Sequence, residues 1–570
     1  MLGKNVSEKI TGILSKACKK YFQENLSDVS FPEHTEVALQ VTRDSRHGDM
    51  SSNIVMRLAA AVRSSPAVLG EGIIAIFRDL LKKTGLSVFL GDIELKGGFI
   101  NFRFSDEYYR QLLINIHDQK SHFGRSDEGR HRHVNLEFVS ANPTGPLTIA
   151  HGRQAAIGDT LSRILRFNGY HVTNEYYLND VGRQISLLGE SVEVRYRNLF
   201  GRNDPMPEQG YMGSYIKDIA EEIRSRKGGS LLADSPHAGT GSAACRFFQD
   251  HAVGYIMRLI KRDLADFGVV FDTWTSQGGI EKREEVKKVL ELLEKDGYVY
   301  EHEGARWFAS TRFGDDKDRV VMKSDGSYTY LAPDIAYHHD KYQRGYSRLI
   351  DLLGPDHHGY IKRMKSAVQA LGHEAGSLDI LIVQLVTLLR GGQAVSMSTR
   401  RGEFISLREV IDEIGKDVTR FFFLSRRLDS HLDFDIELAK KESADNPVFY
   451  IQYAHARICS IKKYSRGHRI RLFFRRIQLE LLTAKEEKQL MRKLSEFPFA
   501  VKSGADTLEP NRLIAYLNEL ARSFHSFYTE CRVISDDAAL SKARLFLVEC
   551  VRIVLANGLG LLNITLPEKM

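Results

Sequence analysis

His151 and Gly152 open a helix directly after the loop VSANPTGPLT, and that junction is suited to holding phosphate. Unpaired backbone N–H groups and the positive end of the helix dipole collect at such a start. Gly152 would let a flat ligand approach the backbone, and a histidine there can equally be a structural cap. Pro143, Thr144 and Gly145 shape the loop. Glu137 and Asn142 lie just upstream, and Tyr330 and Asp334 stand four apart in SYTYLAPDIAYH. Taken singly, Glu137 reads as a solvated strand end and Asp334 as a helix N-cap beside Pro333. The chain has no Walker glycine loop and no nucleophile elbow. Its cysteines are isolated, and the adjacent pairs His338-His339 and His357-His358 cannot face one another, so no metal site and no zinc are expected.

A scaffold must place these residues. Val134, Leu136 and Phe138 alternate, the pattern of a strand buried on one face. Ile157, Leu161, Ile164 and Leu165 recur at helical spacing until Asn168-Gly169 stops the helix. Val172 to Leu178 reads as a second strand. Strand, helix and strand make the βαβ unit of a nucleotide-binding parallel sheet, whose ligands bind beyond the carboxyl ends of the strands. Asn179, Asp180 and Gln184 follow the second strand and are either site residues or an ordinary turn.

A chain of 570 residues is too long for one core, and 43% hydrophobic with 27% charged residues is an ordinary globular composition. A net charge of +7 suits a polyanionic partner but is small for this length. Val6, Ile10, Ile13, Leu14, Ala17 and Tyr21 form the apolar stripe of a first helix, which opens a small α/β domain over residues 1–108. A Rossmann-like parallel-sheet domain is expected over 109–435, with an inserted subdomain at about 186–300. An all-α bundle is expected over 436–570, with Ile451, Ala454, Ile458 and Ile461 on one buried face. The most apolar run, Leu545 to Leu566, carries Glu549 and Arg552 and is broken by Asn557-Gly558, so a buried helix is expected rather than a membrane span. No apolar targeting segment opens the chain, which with the unpaired cysteines points to a reducing, cytoplasmic compartment.

The segment SANPTGPLTIAHGR resembles the first signature of the class I aminoacyl-tRNA synthetases in its arginyl form, with Thr148, Ile149, Ala150 and His151 at the four motif positions. AVSMSTRRGEFISL, from Ala394 to Leu407, resembles the second signature, which Met397, Ser398, Arg400 and Gly402 match. NPVFYIQYAHARICSIKK, from Asn446, is similar to the family's anticodon-binding helical domain, and HGDMSSNIVM with GGFINFRF to its tRNA-elbow domain. The resemblance covers essentially the whole chain. It implies ATP-dependent attachment of L-arginine to tRNA through an arginyl-adenylate. It places Glu137, Asn142, Tyr330 and Asp334 around arginine, whose guanidinium presents only donors in a rigid fork that a carboxylate can grip bidentately. It places Pro143, Thr144, Gly145, His151, Gly152 and Met397 against ATP, and Thr148, His151, Gly152 and Ser398 in the catalytic set.

Some positions depart from the family. Its glutamine near GPDHHGY is replaced by Pro355 or Asp356, the first histidine of the first signature is Thr148, and both lysines of the second are Ser396 and Thr399. A preorganised donor at a developing charge is worth roughly 2.7–4 kcal/mol. Arg400 or Arg401 is therefore expected to take a lysine's place on the departing pyrophosphate. Magnesium is expected with ATP.

The resemblance also implies tRNA contacts at Phe99, Asn101, Tyr453 and Arg457. Phe99 and Asn101 fall on one strand face, an aromatic beside an amide, which suits one splayed-out base. Gln452, Tyr453, His455 and Arg457 sit off the apolar stripe, where Tyr453 could stack an anticodon base. Arg466, Arg469, Arg471, Arg475 and Arg476 interleave with Tyr464, Phe473 and Phe474, a composition that suits nucleic acid or a solvated helix surface. A monomer with tRNA, L-arginine and ATP as partners is expected. Two alternatives compete: an adenylating enzyme without tRNA, which would not need the terminal domains, and a non-catalytic tRNA-binding paralogue that has lost the phosphate-handling lysines.

Overall fold

The computed structural model describes residues 6–26, 29–32, 35, 37–42, 44–232, 243–357, 359–395, 405–441, 446–467 and 477–570. Ser396, Met397, Ser398, Thr399, Arg400, Arg401 and Gly402 lie outside the described residues, as do Arg469, Arg471, Phe473, Phe474, Arg475 and Arg476.

The first helix, Val6–Asn25, buries Ile10, Ile13, Leu14 and Ala17 together with Cys18 and Phe22. It packs with the helix Pro66–Lys82 beside an antiparallel sheet of order β1-β2-β4-β3. These strands are β1 (Gln40–Val41), β2 (Met50–Ser52), β3 (Leu90–Lys96) and β4 (Phe99–Phe104). Gly97 and Gly98 turn β3 into β4 with φ of +58° and +80°, the tight hairpin geometry that glycine adopts without strain.

The central sheet holds β5 (His133–Glu137), β6 (His171–Leu178), β7 (Thr273–Ser276), β11 (Arg348–Leu353) and β12 (Leu378–Ile382). All pair in parallel, in the order β12-β11-β5-β6-β7. The chain runs outward from β5 to β7, then returns to the other side of β5 as β11. The topological switch point therefore falls between β5 and β11, where open α/β sheets bind ligands. The stretch read as one insertion, 186–300, is interrupted by the edge strand β7. Before β7 come the helices Arg183–Asn198, Ser214–Lys227 and Ala243–Asp266. After it comes a separate antiparallel sheet of β8 (Val299–His302), β9 (Ala305–Phe308) and β10 (Arg319–Met322). A further small sheet of β13 (Val386–Arg390), β14 (Gln393–Ala394) and β15 (Leu432–Asp435) follows β12.

β5 departs from its one-sided reading. Val134 and Leu136 are buried, but so are Asn135 and Glu137 on the opposite face. A central parallel strand is covered on both faces, and here the second cover is the helix Leu331–Gln343.

The C-terminal bundle contains the helices Pro447–Gly467, Lys485–Ser495, Phe497–Thr507, Asn511–Glu530 and Ala538–Leu561. The last of these runs unbroken through Asn557-Gly558, against the sequence expectation. The Asn557 amide donates to the Lys120 and Phe123 carbonyls at 2.9 and 3.1 Å. A Cβ on Gly558 would meet Leu517 at 2.5 Å, so packing overrides the turn propensity. Among the described residues no helix is long and apolar enough to cross a membrane.

Arg420 ties bundle and sheet together. Fully buried, it donates to Asp159 Oδ2 at 2.6 Å, to the Leu562 carbonyl at 2.9 Å and to the Phe267 carbonyl at 3.2 Å. Arg420→Met leaves the Asp159 carboxylate buried without this cation and is expected to cost about 3–5 kcal/mol. A thermal-unfolding scan measures it, and a curve superimposable on the parent's contradicts the assignment.

Candidate active site

Glu137 and Asp351 stand side by side, in register, at the carboxyl ends of β5 and β11. Across them lies the helix Leu331–Gln343. Asp334, His338 and Lys341 recur on it at helical spacing, on one face. Lys341 is fully buried, and its Nζ donates to Glu137 Oε2 at 2.6 Å and to Asp351 Oδ1 at 2.9 Å. His338 lies with Nε2 2.8 Å from Asp351 Oδ2 and Nδ1 2.7 Å from the Asp334 carbonyl oxygen. Burial pushes the Asp351 carboxyl up, but the charges of Lys341 and His338 outweigh it and hold it well below the usual carboxylate range. Asp334 is the opposite case. Burial pushes its carboxyl up to about 6, against a hydrogen bond from the Tyr360 hydroxyl that draws it down.

Glu137, Asp351 and Asp334 thus share one crevice, ionised at Asp334 above about pH 6, and the Lys341 ammonium is bound to the first two of them. The crevice carries an excess of negative charge and an excess of acceptors, which suits a cation rich in donors. Glu175, on β6, contributes nothing to that excess. It is fully buried and receives a two-pronged ion pair from Arg344 at 2.9 and 3.0 Å, plus bonds from Asn135, Thr275 and Tyr337.

Of the residues expected around a guanidinium, Glu137 and Asp334 are brought to this crevice. Asn142 is exposed in the loop beyond β5 and donates to Gln184 at 2.9 Å. Tyr330, 88% exposed, stands in solvent at the helix N-cap. Asp334 is therefore not an N-cap. It lies a turn inside the helix, because Pro333 lacks only an N–H that a first turn leaves unpaired anyway. Lys341, Asp351, Glu175 and Arg344 escaped the sequence reading. Asp351 did leave a signal: it is a lone charge inside the apolar strand RLIDLL.

The backbone leaving β5 is strained. Val139 sits at φ +69°, and the Ser140 N–H donates to the Phe138 carbonyl at 2.9 Å, closing a tight γ-turn. A β-branched residue in this region costs on the order of 1–3 kcal/mol. The turn delivers the Ser140 hydroxyl to Glu137 Oε1 at 2.9 Å, while the Tyr177 N–H donates to that hydroxyl at 3.1 Å. Beyond it, Pro143 is buried, the Thr144 N–H donates to the Asn142 carbonyl at 2.8 Å, and the Tyr215 hydroxyl donates to the Thr144 carbonyl at 2.8 Å. A Cβ on Gly145 would come within 3.1 Å of the same hydroxyl.

The helix Ile149–Phe167 then begins, with Thr148 as N-cap. The Thr148 N–H donates to His151 Nδ1 at 3.2 Å. An accepting Nδ1 requires the neutral ring with its proton on Nε2. Burial agrees, dropping the His151 pKa to about 4. His151 is thus a cap through one nitrogen and a neutral donor through the other. Protein packing adds a second demand on Gly152 beside the expected ligand. A Cβ there would meet Leu407 at 2.6 Å and Phe423 at 2.9 Å, so protein packing requires this glycine. Ser406 pairs with Thr148 in an antiparallel bridge, and the Leu407 N–H donates to the Leu147 carbonyl at 2.7 Å. The downstream flank of the second signature therefore lies against the first. Asp180 accepts from Ser276 Oγ at 2.6 Å and from the Gly278 N–H at 3.0 Å, fastening the end of β6 to that of β7. Among the described residues no cluster of three His, Cys, Asp or Glu side chains is arranged to hold a metal.

Residues 10–104 match the family model of the arginyl tRNA synthetase N-terminal domain, 113–423 that of the class I (R) tRNA synthetase catalytic domain, and 451–570 that of the DALR anticodon binding domain. The arginine–tRNA ligase of Citrifermentans bemidjiense is 47% identical over 526 residues, 92% of this chain and 93% of its own length. The chain belongs to the arginyl-tRNA synthetase family. The family's ligase from Syntrophotalea carbinolica is 44% identical over 568 residues, 99% of this chain and 100% of its own. A putative arginyl-tRNA synthetase structure from Campylobacter jejuni superposes with a TM-score of 0.73 at 34% identity, across 82% of this chain and 100% of that one. The Thermus thermophilus arginyl-tRNA synthetase shares the fold, with a TM-score of 0.75 at 22% identity across 98% of this chain and 100% of its own. As a member of the arginyl-tRNA synthetase family, the chain is an enzyme of ATP-dependent tRNA arginylation.

The expected tRNA residues of the family's terminal domains divide. Phe99 is 39% exposed, whereas Asn101, two residues on, is only 6% exposed and its amide has no hydrogen-bond partner among the described residues. In the bundle, the Arg457 guanidinium lies 5.0 Å from the Tyr453 ring centroid and 5.2 Å from that of Tyr528, and His525 stacks on Tyr453 at 5.8 Å. Tyr528 and His525 come from the helix Asn511–Glu530, too far along the chain for spacing to suggest them. Gln452 and His455 are corrected. Both are buried, donating to or meeting the Thr565 and Pro567 carbonyls at 3.1 and 3.0 Å. They hold the C-terminal tail, which covers a second side of their helix.

Proposed function

We propose that L-arginine occupies the crevice between β5 and β11 with its guanidinium against Glu137 and Asp334, and with Asn142 and Tyr330 at the mouth. The observation that carries this reading is the surplus of carboxylate over ammonium at Glu137, Asp351, Asp334 and Lys341. ATP lies along Pro143, Thr144 and Gly145, its triphosphate at the helix start where His151 Nε2–H and unpaired backbone N–H groups are donors. Met397 and Ser398 belong to the same site, and Arg400 or Arg401 replaces the absent lysine on pyrophosphate. Magnesium accompanies the nucleotide.

The arginine carboxylate oxygen attacks the α-phosphorus, and the bond to the bridging oxygen breaks to release pyrophosphate. A hydroxyl of the terminal tRNA ribose then attacks the arginyl carbonyl, and AMP leaves. Neither step needs a protein nucleophile, so positioning and charge stabilisation are the chain's contribution. Phe99, Asn101, Tyr453 and Arg457 contact tRNA, and the enzyme works as a cytoplasmic monomer.

Radiolabelled arginine with ATP and total tRNA tests the reading: arginyl-tRNA forms only when all three are present. Saturable tRNA binding without charging contradicts it. Arg457→Glu is expected to raise the tRNA KM about tenfold and to shift the salt dependence of binding, with arginine and ATP KM unchanged. Filter binding across salt concentrations measures this, and an unaltered tRNA affinity removes Arg457 from the interface.

A further inference from the structure

No sequence motif singles out Lys341, yet two of its three ammonium donors are committed. One lies on Glu137 at 2.6 Å and one on Asp351 at 2.9 Å, and the charge sits 4.4 Å from the centre of the Tyr337 ring. Burial alone would make such a lysine less basic, but the carboxylates of Asp351, Glu137 and Glu175 outweigh it and make it more so. A cation with donors only, Lys341 is itself no partner for a guanidinium. Glu137 differs. Its Oε2 faces Lys341 and its Oε1 receives the Ser140 hydroxyl at 2.9 Å, so its orientation is fixed while a carboxylate's further lone pairs stay open.

We propose that Lys341 is a positioning residue of the arginine pocket. It clamps the Glu137 carboxylate so that the open lone pairs meet the guanidinium, and it supplies the fixed positive charge that lets Glu137, Asp351 and Asp334 share one crevice. This rests on the reading that Glu137 and Asp334 receive the guanidinium.

The facing groups cannot replace it. Arg344 is committed to Glu175 and His338 to Asp351. Tyr177, Tyr337 and Tyr360 are held neutral, chiefly by burial and then by the carboxylates around them. Without Lys341, Glu137 and Asp351 would repel across adjacent strands until one took up a proton. Arginine binding would then depend on pH where the parent's does not.

The experiment compares the full-length enzyme with Lys341→Met, the charge-balanced pair Lys341→Met with Asp351→Asn, and Glu137→Gln. Pyrophosphate exchange is measured with tRNA present. The paired variant is expected to keep its fold and its ATP and tRNA KM within about twofold while the arginine KM rises at least roughly tenfold. In Lys341→Met the arginine KM is expected to fall steadily as pH rises from about 6 to 9, whereas the parent's stays level above about 7. Where the single variant fails to fold, the charge-balanced pair decides. A raised arginine KM in Glu137→Gln with an unchanged one in the pair overturns the role of Lys341 alone. An unchanged arginine KM in Glu137→Gln overturns the pocket reading and this proposal with it.

Discussion

Asp334→Asn is expected to lower kcat/KM for arginine by about 2–5 kcal/mol, roughly 30- to 5,000-fold, with the ATP KM unaffected. The amide keeps the shape of the carboxyl but loses its charge and turns an N–H₂ toward a ligand that offers only donors. A pH signature accompanies the loss. Burial holds the Asp334 carboxyl up to about 6, so it is neutral below that pH and ionised above it. The guanidinium needs the ionised form. The arginine KM of the parent enzyme should therefore rise as pH falls through 6, about tenfold per unit once well below it, and Asp334→Asn should lack this limb. For stability the sign is the reverse of a salt-bridged carboxylate. The folded state binds the proton more tightly than the unfolded chain, so the Asp334 contribution to stability declines as pH rises from the ordinary aspartate value of 3.8 toward 6. Bound arginine should reverse that decline. An arginine KM that is level from pH 5 to 8 contradicts the role of Asp334.

His151→Ala should reduce the rate of pyrophosphate exchange by about 10²–10³-fold, the loss that follows removal of one donor from a developing charge. The arginine and tRNA KM should change little. His151 is held neutral down to about pH 4 by burial, and its Nδ1 is occupied by the Thr148 N–H. It therefore contributes no limb to the rate profile between pH 5 and 8, which separates it from a histidine that shuttles protons. Single-turnover exchange in His151→Ala measures the loss. A rate within threefold of the parent's would reduce His151 to a helix cap, worth about 0.5–2 kcal/mol of stability and no catalysis.

Local periodicity made the scaffold legible. Val134, Leu136 and the stripe from Ile157 to Leu165 each declare an element through spacing alone, and the helix Ile149–Phe167 with parallel strands β5 and β6 follows. What stayed hidden depends on strand order and on the third dimension. Glu137 and Asp351 are adjacent only because the chain doubles back to place β11 beside β5, and nothing local to either residue says so. Lys341 becomes meaningful only once both flank it. The strained turn at Val139 contradicts the residue's own preference, as functional sites often do. The lack of a side chain at Gly152 is legible in the sequence, but its packing against Leu407 and Phe423 is not. The burial of Gln452 and His455 is hidden from the sequence because their partner, the tail at Thr565 and Pro567, is distant along the chain. Asn557-Gly558 looked like a break because propensity cannot register the packing of Leu517.

Two carboxylates at the β5–β11 switch point are proposed to grip the substrate guanidinium beside a helix mouth that holds triphosphate. A crystal structure with L-arginine and a non-hydrolysable ATP analogue is the decisive experiment. The expected structure has guanidinium nitrogens within hydrogen-bond distance of both Glu137 and Asp334, Lys341 still between Glu137 and Asp351, and phosphate oxygens at His151. Arginine bound elsewhere, or touching neither carboxylate, contradicts it.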